Sequence, residues 1–420
     1  MKVVTIYHNK PAASHEMSSN MNLYAAAPRR DIALCAFLLC SMLLASFARA
    51  QEYTITNLGS ITPSGINMWG QVAGTQNGHA VVWGRWSGTQ DLGTLSGGTF
   101  SSGAAINDLG VVTGIADGSG TIHLLSGSDL NCNGLVQPFI WTAHKGMDGL
   151  GASGIGQPNY YQFLCSNLYT YPTGINIRNQ MVASIRDFDT YLGGYLWSKT
   201  TGTVGVPGYS YQSRVNGINN VGTMVGEISG SGPFPSHGGG PLTYTDHAAI
   251  WKTGGALIPI DLGTLGGADW VRCSAAISIN DRGYVVGWSG LQDSTCLGLK
   301  PGFDAPHAFL WTEATGMHDL RALFGDSASM AKKINYFGQV IGISGSVSSL
   351  FRDSEGRLQL TGRPFIWTER GGMRDLNNLI PSNSGWVLNT VSDINVWGQI
   401  IGVGTRDGEN RGFLLTPKVL

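Results

Sequence analysis

The chain has 420 residues, with 26 Lys and Arg against 27 Asp and Glu, for a formal net charge of −1. Charged residues are 13% of the chain and glycine numbers 61, roughly half and twice their usual shares of about 25% and about 7%. Such a chain has no basic stripe to hold phosphates, which argues against nucleic acid as a partner, and its composition suits an exported β protein.

Residues 1–50 read as a signal peptide. Arg29 and Arg30 precede an apolar run from Ile32 to Phe47, which ends in Ala48-Arg49-Ala50 before Gln51. A basic region, an apolar core and a small-x-small site are the marks of secretion, and the run is short for a membrane span. Met21 is an alternative start. Cys40 lacks the preceding small residue of a lipoprotein site, so no lipid anchor is expected. Cleavage near Ala50-Gln51 leaves 51–420, with no further apolar span, as one soluble, monomeric domain, either secreted or periplasmic.

From there the chain repeats. Ile-Asn, two residues, Gly, then a small or apolar stretch ending in Gly recurs at Asn67, Asn107, Asn219, Asn280, Asn335 and Asn395, with a degenerate copy at Asn176. The seven copies lie about 55 residues apart on average, a period that suits four-stranded propeller blades with loop insertions. Asn opens a type I turn and bonds the backbone ahead of it, and Gly takes the left-handed position. In the third copy Asn179 stands for that Gly, and Asn also enters this region.

Each turn is followed by a strand ending in Trp, as in Val81-Val82-Trp83 or Phe309-Leu310-Trp311, decayed to Phe413-Leu414-Leu415 in the last copy. A fourth strand then carries Asp-Leu-Gly, complete at Asp91 and Asp261 and shortened to Asp-Leu at Asp319 and Asp375; the third unit has only Val204-Gly205. The last unit stops after three strands, while an unpaired fourth strand, Tyr53 to Gly59, precedes the first turn. A ring accounts for both. The sequence therefore predicts an all-β, closed β-propeller of seven four-stranded blades, the N-terminal strand completing the last and removing open sheet edges. The alternative is an open β-repeat solenoid, which would need polar caps.

Insertions fall on one side of that ring. Segments 115–137, 227–246, 288–306 and 343–362 lie between second and third strands, and 152–172 lies between blades. Insertions on one face of a repeat array mark a working surface. Tyr160, Tyr161, Tyr209, Tyr211 and Trp270 stand in these connections. Exposed, they would stack on a sugar or anchor a protein; otherwise they pack the insertions onto the ring. Four cysteines remain after cleavage, Cys132, Cys165, Cys273 and Cys296, all in or beside the insertions. In an oxidising compartment they suggest two disulfides, and proximity favours Cys132–Cys165 and Cys273–Cys296 among three possible pairings. Their spacing does not suit a zinc site.

Three patterns tempt a chemical reading. Asp129, Asn131 and Asn133, followed by Gly134, open like a calcium loop; the twelfth position is Ile140 rather than Glu, so a polar turn competes with a structural calcium, the one cofactor considered. His79, His247 and His307 share one repeat position, too far apart on a ring to meet at one metal, and read as polar caps where the third strand begins. The recurring Asp of Asp-Leu-Gly is too frequent for one active site and is expected to bond a turn backbone. Carboxylates that break the repeat are Glu227, Asp246, Asp293 and Asp304; two of them could serve a glycoside-cleaving pair, although nothing in the sequence joins any two, and no nucleophile motif or phosphate loop is present.

The combined motif, His307-Ala308-Phe309-Leu310-Trp311, Asp261-Leu262-Gly263-Thr264-Leu265-Gly266-Gly267 and the Ile-Asn turns, resembles the bacterial HAF-repeat family of extracellular repeat proteins, over nearly all of residues 53–415. The resemblance implies export and a repeated β module, and brings no catalytic residues. Three functions remain open: a module that binds a glycan or a protein through the insertion face, a structural envelope scaffold, and a glycan-active hydrolase or lyase.

Overall fold

The computed structural model describes residues 53–123, 129–132, 136–150, 169–186, 191–208, 213–230, 245–265, 273–291, 305–353 and 357–418. They form seven four-stranded antiparallel sheets, the blades of a β-propeller. Blade one comprises Thr62–Ile66, Val72–Gln76, His79–Gly84 and Gly88–Asp91. The third unit, weakest in sequence, is a full blade: Tyr169–Ile175, Met181–Arg186, Tyr191–Ser198 and Gly202–Val206. Its fourth strand forms without the Asp-Leu-Gly signature, because ladder pairing of Gly202–Val206 with Gly194–Ser198 needs only backbone.

Blade seven takes Trp386–Ile394, Ile400–Arg406 and Glu409–Pro417 from the C-terminal end and Tyr53–Asn57 from the N-terminal end. The closing strand runs in register from Tyr53 opposite Pro417 to Asn57 opposite Phe413. The Leu58 amide donates to the Gly412 carbonyl and the Gly412 amide to the Gly59 carbonyl, extending the seam. Tyr53 is fully buried, and burial pushes its phenol up to about 12.

The hydrophobic core is distributed between blades. Val225, Ala248, Ile250 and Leu262 of blade four pack on Ala276, Ile279, Val285 and Phe309 of blade five. The same layer joins the ends: Ile401 and Leu414 of blade seven pack with Ile66, Val72 and Val81 of blade one. Each such side chain contributes about 1.5–3 kcal/mol on burial, so the ring gains from closing as it does from every other interface.

Two repeated polar devices fix the spacing. The turn Asn accepts, through Oδ1, the amides two and four residues on, as Asn280 does from Arg282 and Tyr284 at 3.0 Å each. Its Nδ2 then donates to the carbonyl of the corresponding Asn in the next blade. The chain of donors runs Asn67 to Asn107, Asn176, Asn219, Asn280, Asn335 and Asn395, and back to Asn67, at 2.9–3.2 Å. Seven buried amides thus close a hydrogen-bonded ring. On the opposite side, the first serine of an inner strand latches onto the preceding blade: Ser274 accepts the Ala248 amide and donates to the Gly263 carbonyl, and Ser101 and Ser329 repeat this.

The glycine that ends the repeat motif in every blade but the third, where Ala183 stands, makes a close approach to the inner strand. A Cβ on Gly287 would stand 1.8 Å from the Ala275 carbonyl oxygen, and one on Gly402 would stand 2.0 Å from that of Thr390. Asn179 has φ 56°, the left-handed value that glycine takes in the other turns.

Candidate functional site

The inner strand of every blade slips register at the same place, just before Ile-Asn. The shifts fall between Pro63 and Gly65, Gly103 and Ala105, Pro172 and Gly174, Val215 and Gly217, Ala276 and Ser278, Ala331 and Lys333, and Val391 and Asp393. A bulge re-aims the extra residue. Those residues are Ser64, Ala104, Thr173, Asn216, Ile277, Lys332 and Ser392, one per blade, and all seven line a single cavity of about 660 Å³. The cavity is therefore the central channel of the propeller, and it falls within the range of about 300–1,000 Å³ typical of small-ligand sites.

The channel reaches toward the insertion side. In blade six the segment between second and third strands carries a small hairpin, Leu350–Arg352 paired with Leu358–Leu360. Leu350, Arg352, Arg357, Leu358 and Gln359 of this hairpin line the cavity, as do Asp246, Cys273 and Pro306 from the same side. Asp353 orients the hairpin: it accepts from the Arg357 amide and Nε and from Gln359 Nε2, all at 2.9 Å. Burial opposes ionisation of Asp353, but the Arg357 guanidinium and these bonds outweigh it and hold the carboxyl below its ordinary value.

Lys332 is the only cation among the seven bulge residues. It makes no hydrogen bond or ion pair among the described residues, and burial depresses its pKa, helped by the Arg357 charge and opposed by that of Asp353. The next residue, Lys333, has a counter-charge in blade seven at the same repeat position. That is Asp393, whose carboxylate accepts the Ile66 and Ile394 amides. Burial raises the Asp393 pKa; the Lys333 charge and those amides work against the rise, while the Asp108 charge adds to it.

Glu227 and Asp246 also line the cavity. Both were expected within an insertion. They lie instead on strands Met224–Gly230 and Thr245–Trp251, which outrun the repeat pattern because the ladder continues to Gly230 opposite Thr245. The register places Glu227 opposite Ala248 and Asp246 opposite Ser229, so both carboxylates share one face of blade four. Glu227 is buried, pairs with Arg214 at 3.3 Å and accepts Asn216 Nδ2 at 3.1 Å. Asp293 and Asp304 lie outside the described residues.

Other sequence-based candidates fare differently. His79, His247 and His307 each bond the Asp of the adjacent fourth strand through Nδ1, at 2.8–2.9 Å. Those aspartates also accept the backbone amide two residues on. They are blade-edge clasps, and no cluster of metal-ligating side chains occurs among the described residues. Asp129 and Asn131 belong to a strand, Asp129–Cys132, paired with Gly120–His123; this stretch is extended backbone rather than an open turn, and Asn133 is outside the described residues. Tyr160, Tyr161, Tyr209, Tyr211, Trp270, Cys165 and Cys296 are outside them too. Cys273 is buried and disulfide-bonded.

The opposite face carries a ring of outward-facing apolar side chains. The second residue after each turn Asn projects outward, leaving Trp69 70%, Leu109 66%, Phe337 64% and Trp397 64% exposed. Trp69 and Trp397 lean on the neighbouring turn, donating Nε1 to the carbonyls of Asp108 and Met68. The signal was present as an apolar residue two after Asn in five of the seven motifs.

No family model matches the chain, and no curated protein matches it. Solved structures do. An oligogalacturonate lyase in complex with manganese aligns over 88% of this chain and 94% of its own, at 12% identity and TM-score 0.50. The β-propeller domain of the trilobed protease from Pyrococcus furiosus, described as having an open velcro topology, aligns over 85% and 95% at 8% identity and TM-score 0.42. At such identities the likeness is one of fold alone. No helix among the described residues is long and apolar enough to cross a membrane.

Proposed function

We propose that the protein is an exported binding module whose ligand, a short stretch of glycan, enters the central channel from the insertion face. The observation that carries this reading is the bulge ring: seven repeats share one backbone device and place seven side chains, mostly different, around one cavity. Polar Ser64, Thr173, Asn216 and Ser392 there suit hydroxyl groups, while Ile277, Trp288 and Leu358 suit the apolar faces of sugar rings. Resemblance to HAF repeats and the N-terminal leader support export, and oxidising export in turn supports pairing Cys273 with Cys296 and Cys132 with Cys165.

A protein ligand is the second reading, favoured by the exposed crown of Trp69, Phe337 and Trp397 on the other face. Catalysis on a glycan would need Glu227 and Asp246 to act together; the bonds from Arg214 and Asn216 suit a Glu227 held in place to orient hydroxyls. A glycan array probed with purified protein, with calcium and with chelator, tests the reading. Specific hits lost on Asn216→Ala place the ligand in the channel, and dependence on calcium would bring the Asp129 stretch into the site. Hits lost instead on Trp69→Ala with Trp397→Ala would move the ligand to the opposite face. Product formation that stops in Glu227→Gln would establish catalysis.

A further inference from the structure

The channel is charged far out of proportion to the chain. Its lining holds Arg214, Lys332, Lys333, Arg352 and Arg357 against Glu227 and Asp246, five cations to two carboxylates, in a protein of net charge −1. Several of those cations are matched locally: Arg214 by Glu227, Arg357 by Asp353, and Lys333 by the Asp393 charge. Lys332 is half-buried, makes no hydrogen bond or ion pair among the described residues, and stands between the opposing charges of Arg357 and Asp353. An ammonium partly removed from water without a bonded acceptor is stabilised by an anion that reaches it.

We infer, resting on the glycan reading above, that the channel binds an acidic oligosaccharide and that Lys332 is the counter-ion for a sugar carboxylate. The positive groups gather on blade six and its hairpin, namely Lys332, Lys333, Arg352 and Arg357. The acceptors Glu227 and Asp246 stand on blade four. A sugar acid matches both sides, with its carboxylate toward blade six and its hydroxyls donating toward blade four. A phosphate matches worse, because its double charge would meet the two blade-four carboxylates.

Proton linkage follows. Burial and Arg357 favour the neutral amine of Lys332 in the free protein, against the pull of Asp353; a bound carboxylate favours the ammonium. Binding therefore takes up a proton once pH exceeds the free-state pKa of Lys332, and affinity falls as pH rises above it. The other charged groups on the cavity wall, Arg214, Glu227, Asp246, Arg352 and Lys333, and Asp393, whose charge acts on Lys333, do not remove the linkage, since none makes a hydrogen bond or ion pair with the Lys332 amine among the described residues.

The test is calorimetric titration with a panel of uronic-acid trimers of different linkage, the same trimers after carboxyl reduction, and inorganic phosphate. The wild-type protein is compared with Lys332→Met and Lys332→Arg, each first checked for an unchanged melt. At least one acidic trimer should bind, with its reduced form weaker by about tenfold or more. Lys332→Met should lose about 10- to 100-fold and also lose the buffer-dependent proton uptake, while Lys332→Arg retains affinity without the pH dependence. If a reduced trimer binds as tightly as the acid, the carboxylate inference fails and the glycan reading stands. If phosphate displaces the trimer at equal concentration, the site is a general anion site and the inference fails. If Lys332→Met binds like wild type, Lys332 is not the counter-ion. If no trimer binds in either form, both readings fall.

Discussion

The two ends of the channel use the same repeat in opposite ways. At the turn end all seven blades present the same residue, and each Asn makes the same bond to its neighbour. A few residues upstream, all seven inner strands make the same bulge, yet its side chain is Ser, Ala, Thr, Asn, Ile, Lys and Ser in turn. Where geometry and side chain both repeat, the position serves the ring. Where geometry repeats and chemistry varies, it is free to serve a ligand. The contrast also separates Lys333, which meets the Asp393 charge from the same repeat position of the next blade, from Lys332, whose bulge position carries no acid in any blade.

The largest loss of stability is expected at the seam. Removing Tyr53–Asn57 takes away a five-residue ladder and a fully buried Tyr, and leaves blade seven with an open edge. The expected loss exceeds about 5 kcal/mol, read as a large drop in urea midpoint. A truncated chain that unfolds like the full one would mean the ring does not depend on this strand. Within the turn ring, Asn280→Ala removes one donor and one acceptor that together serve three bonds. It should cost about 1–3 kcal/mol, because the part-buried Arg282 and Tyr284 amides lose their acceptor and the Asn335 carbonyl keeps only the Gly338 amide. Gly287→Ala should cost about 1–3 kcal/mol through overpacking, whereas Ala183→Gly, the same repeat position in blade three, should cost less than about 1 kcal/mol.

Smaller effects come from charge. The pKa of Asp393 is raised, so the folded state prefers its protonated form; stability rises as pH falls through that value toward the ordinary 3.8. Asp393→Asn should flatten this rise and melt at or above the wild-type temperature at pH 8. Asp319 has the opposite sign. Burial works against its charge, but bonds from His307 and the Arg321 amide hold its pKa below 3.8. Its contribution is present above the ordinary value and is lost as pH falls through the folded one. Asp319→Asn should therefore lower the melt at pH 6 and converge with wild type in strong acid; equal melts at pH 6 would remove the clasp from the account.

The blade count and the seam were legible because they depend on pattern. Ile-Asn and Asp-Leu-Gly recur with the period of the blade, and the unpaired strands at the two ends are complementary. Asn57-Leu58-Gly59 is itself a copy of Asp-Leu-Gly, with Asn57 accepting the Gly59 amide as Asp91 accepts that of Gly93. The cavity was not legible, because it is built where the period-two alternation breaks. A bulge puts an inward-aimed residue at a position that strand parity assigns to a sheet face, so Lys332 and Asn216 look like surface residues in the sequence. Glu227 and Asp246 break the repeat in the sequence, but their place on strands has no sequence mark, because only the ladder pairing extends to Gly230. The inter-blade half of each Asn was hidden for another reason: Oδ1 acts locally, while Nδ2 reaches a residue dozens of positions away.

The most direct measurement of the central claim pairs thermal melts with glycan-array binding for two variants, Asn280→Ala and Lys332→Met. Asn280→Ala should melt lower and still bind below its melt, while Lys332→Met should melt at or above wild type and lose binding. If Lys332→Met lowers the melt and leaves binding intact, the bulge ring is architecture like the Asn ring, and the channel is not where the ligand sits.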